Sequence, residues 1–342
     1  MWPELSDEEL DKLMELINKI KNSEPLGVAD PQPMIVALKN VLESLELSCG
    51  NKYEIPSPDE FCLEGEKLQE LYDDEDIPSE EKKMIRELNN LAKSWESSLN
   101  LKENEKNLFN MDGFYPFYTM QPCRILFVGR EACWMSRRNY INSVCHCIQA
   151  DDFNGWTVNQ YPFHKRQFYI AYGIMQWCKE RKFPEWDDVP YASEMAKKIF
   201  ARREGKNIVG RIKSISWAFI NLSKLSNDTG DYRTDKNRYL PFVSDESNKK
   251  KLQEQIKILE PKIIIGANVP ELAGILGYGE PDTEVGDCYY YTNYTKGKDF
   301  PPFLNCYHFA AIKSDNRCFY NPIKEVFEKH CDELRMIVNK NN

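Results

Sequence analysis

A chain of 342 residues, 42% hydrophobic and 29% charged, has room for one large globular domain or two ordinary ones, and no run of eighteen apolar residues that would span a membrane. The net charge of -9 argues on average against a nucleic-acid partner, but it is unevenly spread: residues 1–118 hold 27 acidic and 12 basic side chains, a balance of -15, and residues 119–342 hold 27 acidic and 33 basic, a balance of +6. The start, MWPELSDEEL, is acidic where an export signal would be basic and then apolar, so a cytoplasmic location is expected.

Ser6 with Glu9 three residues later has the form of a capping box, and Leu10, Leu13, Met14, Ile17 and Ile20 then recur at helical spacing. Ile35, Leu38, Val41, Leu42 and Leu45 outline a second helix, and Met84, Leu88, Leu91 and Trp95 a later one. Between them YEIPSPDEF and YDDEDIPSEE carry proline breaks and helix starts. Residues 1–118 therefore read as an acidic, all-helical domain for docking or support, with a protein as the expected partner of its helices.

Beyond MDGFYPFYTMQP the pattern changes. RILFVG reads as a short buried strand closing on Gly129, with Arg130 and Glu131 directly beyond it. The cluster Cys145 to Cys147 lacks the C-x2-C or H-x3-H spacing of zinc sites; with eleven cysteines and no export signal, reduced thiols are expected and no metal or other cofactor. DDFNGWTVNQYPFHKRQFYIAYG then supplies Phe153, Trp156, Tyr161 and Phe163 ahead of a helix near 163–180, on which Phe168, Tyr169 and Tyr172 have the spacing of core residues. SISWAFINL is a second strand, ending at Asn221; a helix near 247–260, the strand KIIIG, a helix near 270–277, the strand FLNCYHF with His308, and a terminal helix follow. Strands and helices alternating at these lengths predict an α/β fold: a three-layer α/β/α sandwich with a mainly parallel central sheet over 119–342, preceded by the helical segment.

Parallel sheets of this kind bind ligands beyond the carboxyl ends of their strands. Three such ends carry polar groups: Glu131, Asn221 and His308. Taken singly, Glu131 can open a helix, Asn221 can cap a turn and His308 can be a satisfied core histidine. Together a carboxylate, an amide and an imidazole on one rim can orient a water, read a hydrogen-bonding edge and stabilise developing charge.

The order GREAC, FINLSK, YHFAA resembles the uracil-DNA glycosylase superfamily, whose first motif has forms such as G-Q-D-P-Y or G-E-A-P-G, followed by a strand-end asparagine and a late H-P-S. LEPKIIIGANVPEL is similar to the superfamily's element between the second and third motifs, and the likeness covers roughly the last two thirds of the chain. The resemblance puts Glu131 where the family positions a water, with Gly129 beside it. It puts Asn221 on the base-reading asparagine, His308 on the histidine that helps the departing base, and Ile312 on an apolar wedge. Ala132 stands in place of the first motif's proline, and Phe309 and Ala310 in place of the last motif's Pro-Ser, which marks a divergent member.

The resemblance implies a DNA glycosylase, cleaving the N-glycosidic bond of a flipped uracil or modified pyrimidine in single- or double-stranded DNA, with invading DNA as the setting its motif departures suggest. Trp156 or Phe163 is the expected stacking platform, and Arg130, Arg137, Arg138, Lys313 and Arg317 the expected phosphate contacts, with Lys236 and Arg238 as further cations. The alternative is a non-catalytic nucleic-acid or nucleotide binding module on the same fold.

Overall fold

The computed structural model describes residues 77–102, 105, 107–153, 155–199, 215–228, 233–292 and 300–339, all within one compact unit, Pro56–Asn342. The helices expected near residues 10–20 and 35–45 lie outside the described residues. Among the described residues no helix is long and apolar enough to cross a membrane.

The third expected helix is α1, Ser79–Ser98, which starts after Pro78 with Glu80 and Glu81 in its first turn, where carboxylates suit the helix dipole. Met84, Leu88, Leu91 and Trp95 are all buried, as their spacing requires. The helix is packed into the same core as the sheet. Trp95 Nε1 donates to Asn248 Oδ1 at 2.8 Å, and the buried Glu81 carboxylate accepts from the backbone N–H groups of Phe117 and Thr119 at 3.0 and 2.8 Å.

Seven strands form one mixed sheet: β1 (Gly113–Phe114), β2 (Ile125–Gly129), β3 (Ala218–Asn221), β4 (Ile263–Ala267), β5 (Thr283–Val285), β6 (Cys288–Tyr291) and β7 (Phe303–Cys306), in the spatial order β1-β3-β2-β4-β7-β6-β5. The central four, β3, β2, β4 and β7, are parallel neighbours. Every residue in them is buried, which explains why they appear in the sequence as mostly apolar runs, with Asn221 and Asn305 the polar exceptions, and not as alternating ones. Both edges are antiparallel: β1 pairs with β3, and the β5–β6 hairpin pairs with β7.

Helices connect the parallel strands: α2 (Tyr140–Ala150), α3 (Pro162–Glu180) and α4 (Ala192–Ile199) follow β2, α5 (Lys236–Ser244) and α6 (Glu246–Leu259) follow β3, and α7 (Glu271–Leu276) follows β4. Their starts are chemically marked. Asn139 caps α2 and Asp245 caps α6 through side-chain oxygens, while Pro162 opens α3. The terminal helix is two, α8 (Asn321–Lys329) and α9 (Cys331–Asn339), entered through a π turn at Asn316–Tyr320.

Parallel register sets Phe127 beside Phe219 and Gly129 beside Asn221, so these four positions share one face of the sheet. Phe163 and Phe168 of α3 lie against it, with ring centroids 5.9 Å from Phe219 and 4.8 Å from Trp217 respectively. Phe168 and Tyr169 are buried and Tyr172 packs half-buried against the core.

Candidate active site at the carboxyl ends of the strands

Because β3, β2, β4 and β7 run in one direction, Gly129, Asn221 and the segment leading to His308 emerge at the same edge of the sheet. Gly129 and Asn221 are direct register partners. A Cβ built on Gly129 would stand 2.7 Å from Asn221 Oδ1 and 3.1 Å from the Phe219 ring, so only glycine lets the amide lie over the end of β2. Past the strands the two chains stay zipped. The carbonyls of Gly129, Arg130 and Ala132 accept from the N–H groups of Leu222, Ser223 and Asn227 at 2.9, 2.8 and 2.8 Å. GREAC and FINLSK thus form one continuous platform.

Glu131 is half-buried on that platform. Its Oε1 accepts from Asn227 Nδ2 and from the Asp235 N–H, both at 3.1 Å, whereas Oε2 is buried with no protein partner. Burial raises its pKa above the ordinary carboxylate value, against the pull of those two hydrogen bonds and the Arg238 charge. The carboxylate is therefore oriented through one oxygen and has accepting capacity on the other.

Asn221 is 2% exposed. Its N–H donates to Asp112 Oδ2 at 2.6 Å and its carbonyl accepts from Lys224 Nζ at 2.7 Å, while the side-chain Nδ2 is buried without a protein partner.

His308 lies two residues beyond β7, half-buried, with its ring 5.6 Å from Phe163. Its Nδ1 accepts from the Ala310 N–H at 3.3 Å. Burial first, and then the positive charges of Arg130 and Arg166, hold its pKa below the ordinary 6.5. A depressed pKa with Nδ1 accepting makes the ring neutral at pH 7 and leaves the proton on Nε2, available for donation.

Of the two expected platforms, Phe163 is the one in ring contact with His308 and Phe219. Trp156 is 57% exposed on a loop whose backbone pairs with Phe153, and it joins none of these ring contacts. Phe153 stacks instead on Tyr161 and His164, centroids 5.0 and 4.8 Å away.

The expected cations separate. Arg130 donates from Nε to the Asn268 carbonyl at 2.7 Å, which carries it across the end of β4 toward His308. Arg137 is buried, in an ion pair with Glu96 of α1. Arg138 is half-buried, its backbone bonded to Met135 and Met111. Lys313 and Arg317 are exposed, Lys313 lying 4.0 Å over the Tyr307 ring, and Ile312 between the motif and these cations is fully exposed. Lys236 is exposed, while Arg238 donates to the Ser226 carbonyl at 3.1 Å. Cys145 is buried and Cys147 half-buried, and burial raises both thiols; the described cysteines are free, and among the described residues no group of three His, Cys, Asp or Glu could hold a metal ion.

Three supporting groups escaped the sequence. Asn227 holds Glu131, the buried pair Asp112 and Lys224 holds Asn221, and Arg166 holds the loop after His308. Arg166 is 3% exposed and donates to the carbonyls of Phe309, Ala311 and Lys313 and to the Asp315 carboxylate, with its guanidinium 3.8 Å over the Phe319 ring. Lys224 stands inside FINLSK, and its charge within an apolar run was the available signal; Asp112 and Arg166 are distant in sequence from what they hold. At the opposite edge, a cleft of about 400 Å³ is lined by Arg124, Lys262 and Pro301, and Arg124 is already paired with Glu80 and Glu260 at 2.6 and 2.9 Å. No protein-family model matches the chain, and no curated protein matches it.

Proposed function

We propose that this chain is a DNA glycosylase of the cytoplasm, built as a three-layer α/β/α sandwich and divergent from the uracil-DNA glycosylase superfamily, that releases a flipped uracil or modified pyrimidine without a cofactor, with invading DNA as a setting. One observation carries the reading: Gly129 and Asn221 are register partners at the edge where Glu131 and His308 emerge, and each of Glu131 and Asn221 has a buried polar atom without a protein partner.

In this reading Phe163 stacks on the extruded base and the Asn221 amide pairs with its edge. The glycosidic electron pair leaves with the base. The base anion accepts a hydrogen bond from His308 Nε2–H, in the field of Arg130, and takes its proton from solvent. Glu131 stabilises the positive sugar and takes the proton of the water that adds to its anomeric carbon. Ile312 fills the space left in the duplex, and Lys313, Arg317 and Arg138 meet phosphates.

The test is incubation of the purified protein with single- and double-stranded DNA containing uracil, mismatched thymine or hypermodified cytosine, followed by alkaline cleavage of abasic sites. One of these substrates is expected to give product, and Glu131→Gln to slow it by about 10² to 10⁴. Absence of product from all of them would remove the enzymatic reading.

A second reading, a binding module without chemistry, draws on the third motif. Phe309, which occupies the family's proline position, is 0% exposed and packs 5.7 Å from Phe127, so that motif is partly core. DNA binding by the parent protein with no product, undiminished in Glu131→Gln, is the outcome that favours it.

A further inference from the structure

We infer that the buried Asp112–Lys224 ion pair is a positioning device for Asn221, which locks the peptide carrying the amide so that it meets a pyrimidine edge in one orientation; this rests on the glycosylase reading above. Both side chains are 0% exposed, with Lys224 Nζ 2.7 and 2.9 Å from the two Asp112 oxygens. Stability alone does not account for such a pair, because removing two charges from water costs about what their attraction returns, and apolar residues of similar volume often serve as well.

The pair's remaining bonds show where it acts. Lys224 Nζ makes one further bond, to the Asn221 carbonyl at 2.7 Å, and Asp112 accepts the Asn221 N–H at 2.6 Å and Gln255 Nε2 at 2.8 Å. Both backbone groups of a single residue are therefore held by the two ends of one ion pair. The sheet explains the need. β1 pairs only with Ala218 and Phe219, so the ladder on the outer side of β3 ends before Asn221. Asp112, the residue just before β1, continues with a side chain what the strand leaves off. Lys224 is fixed in turn, its carbonyl bonded by the Asn110 N–H and Nδ2 at 2.8 and 3.0 Å and its ammonium 5.6 Å from the Trp95 ring centroid.

The Asn221 side chain makes no hydrogen bond to the protein through Nδ2, so its aim depends on where its backbone is held and on the space over Gly129. Displacement of a reading group by an ångström costs an enzyme about 10² in rate. A lysine and an aspartate spent on this one peptide convert a strand end into a fixed reading head.

The experiment compares the parent with the double variant Asp112→Leu/Lys224→Met, which replaces the pair by apolar side chains, and with Gln255→Met, which removes one steadying bond and leaves both charges. Hydrogen exchange at the Asn221 and Phe219 amides and kcat/KM on the preferred duplex substrate are measured for each. The double variant is expected to lose protection at Asn221 selectively, with Phe219 still protected. Its kcat/KM should fall about 10²-fold, its discrimination between the target base and other pyrimidines should narrow, and its affinity for undamaged duplex should stay unchanged. A folded double variant with parental Asn221 protection, or with parental kcat/KM and discrimination, overturns the inference. If the double variant fails to fold, Gln255→Met decides: a smaller change of the same pattern supports the device, and no change in either readout overturns it. Inactivity of the parent would defeat the glycosylase reading, while the exchange data would still judge whether the pair fixes Asn221.

Discussion

Glu131 and His308 are shifted toward each other by their surroundings. Burial raises the carboxyl above its ordinary 4.5, and burial with two arginines lowers the imidazole below its ordinary 6.5. In the proposed mechanism the active form has Glu131 ionised and His308 neutral. As pH falls, Glu131 takes its proton earlier than an ordinary carboxyl would, and His308 takes its proton later than an ordinary histidine would. The profile of kcat/KM is therefore expected to fall as pH is lowered, with the Glu131 component at higher pH than an ordinary carboxyl gives and the His308 component at lower pH than an ordinary histidine gives. In His308→Gln the remaining limb belongs to Glu131 and should stay above 4.5; in Glu131→Gln that component should vanish from the residual rate. A limb unchanged by Glu131→Gln would mean that another group takes the proton.

At the scale of elements, the loop from His308 to Asp315 is held from α3 chiefly by Arg166, with Lys165 adding an ion pair to Asp315 at 2.7 Å. Arg166 uses its planar fork on three loop carbonyls and a carboxylate, and lysine has no geometry that could replace it. One of those carbonyls belongs to Lys313, the exposed residue after which trypsin would cut. Arg166→Met is thus expected to free the loop and speed cleavage between Lys313 and Ser314 by about tenfold or more under native conditions, measured by timed proteolysis with mass detection. An unchanged cleavage rate would show that the loop holds itself. The sequence carried the strands of this sheet clearly, since burial on both faces writes β2, β3, β4 and β7 as mostly apolar runs, interrupted by Asn305 in β7 and ended by Asn221 in β3. It hid the β5–β6 hairpin, because a half-exposed edge has no such run and its one mark is the two-residue turn Gly286–Asp287, with Gly286 at φ +57°. Glu131, Asn221 and His308 were legible as polar groups at strand ends. Which arginine would turn inward was not, because the pairing of Arg137 with Glu96 spans 41 residues and depends on how α1 docks. The same separation hid Asp112 from Asn221 and Arg166 from the loop it braces.

At the scale of the whole molecule, the charge division has to be redrawn around the core. Residues 1–118 carry the acidic excess, but a cut at 118 would remove Trp95 and Glu81, which are packed against α6 and the segment before β2. Residues 1–76 alone hold 20 acidic and 6 basic side chains, a balance of -14, so the remaining 266 residues, with 34 acidic and 39 basic, stand at +5. A chain trimmed to 77–342 keeps every described element and reverses the sign of the net charge, from -9 to +5. Long-range repulsion of this kind acts on association and is screened by salt. The trimmed chain is expected to bind duplex DNA more tightly than the parent at low ionic strength, with the difference closing as salt is raised, because both proteins keep the proposed phosphate contacts at Lys313, Arg317 and Arg138. Fluorescence anisotropy with a labelled duplex across a salt series measures both. Weaker binding after trimming would overturn repulsion as the role of residues 1–76 and give them a part in holding DNA; a difference that persists at high salt would point to a steric cover and not to charge.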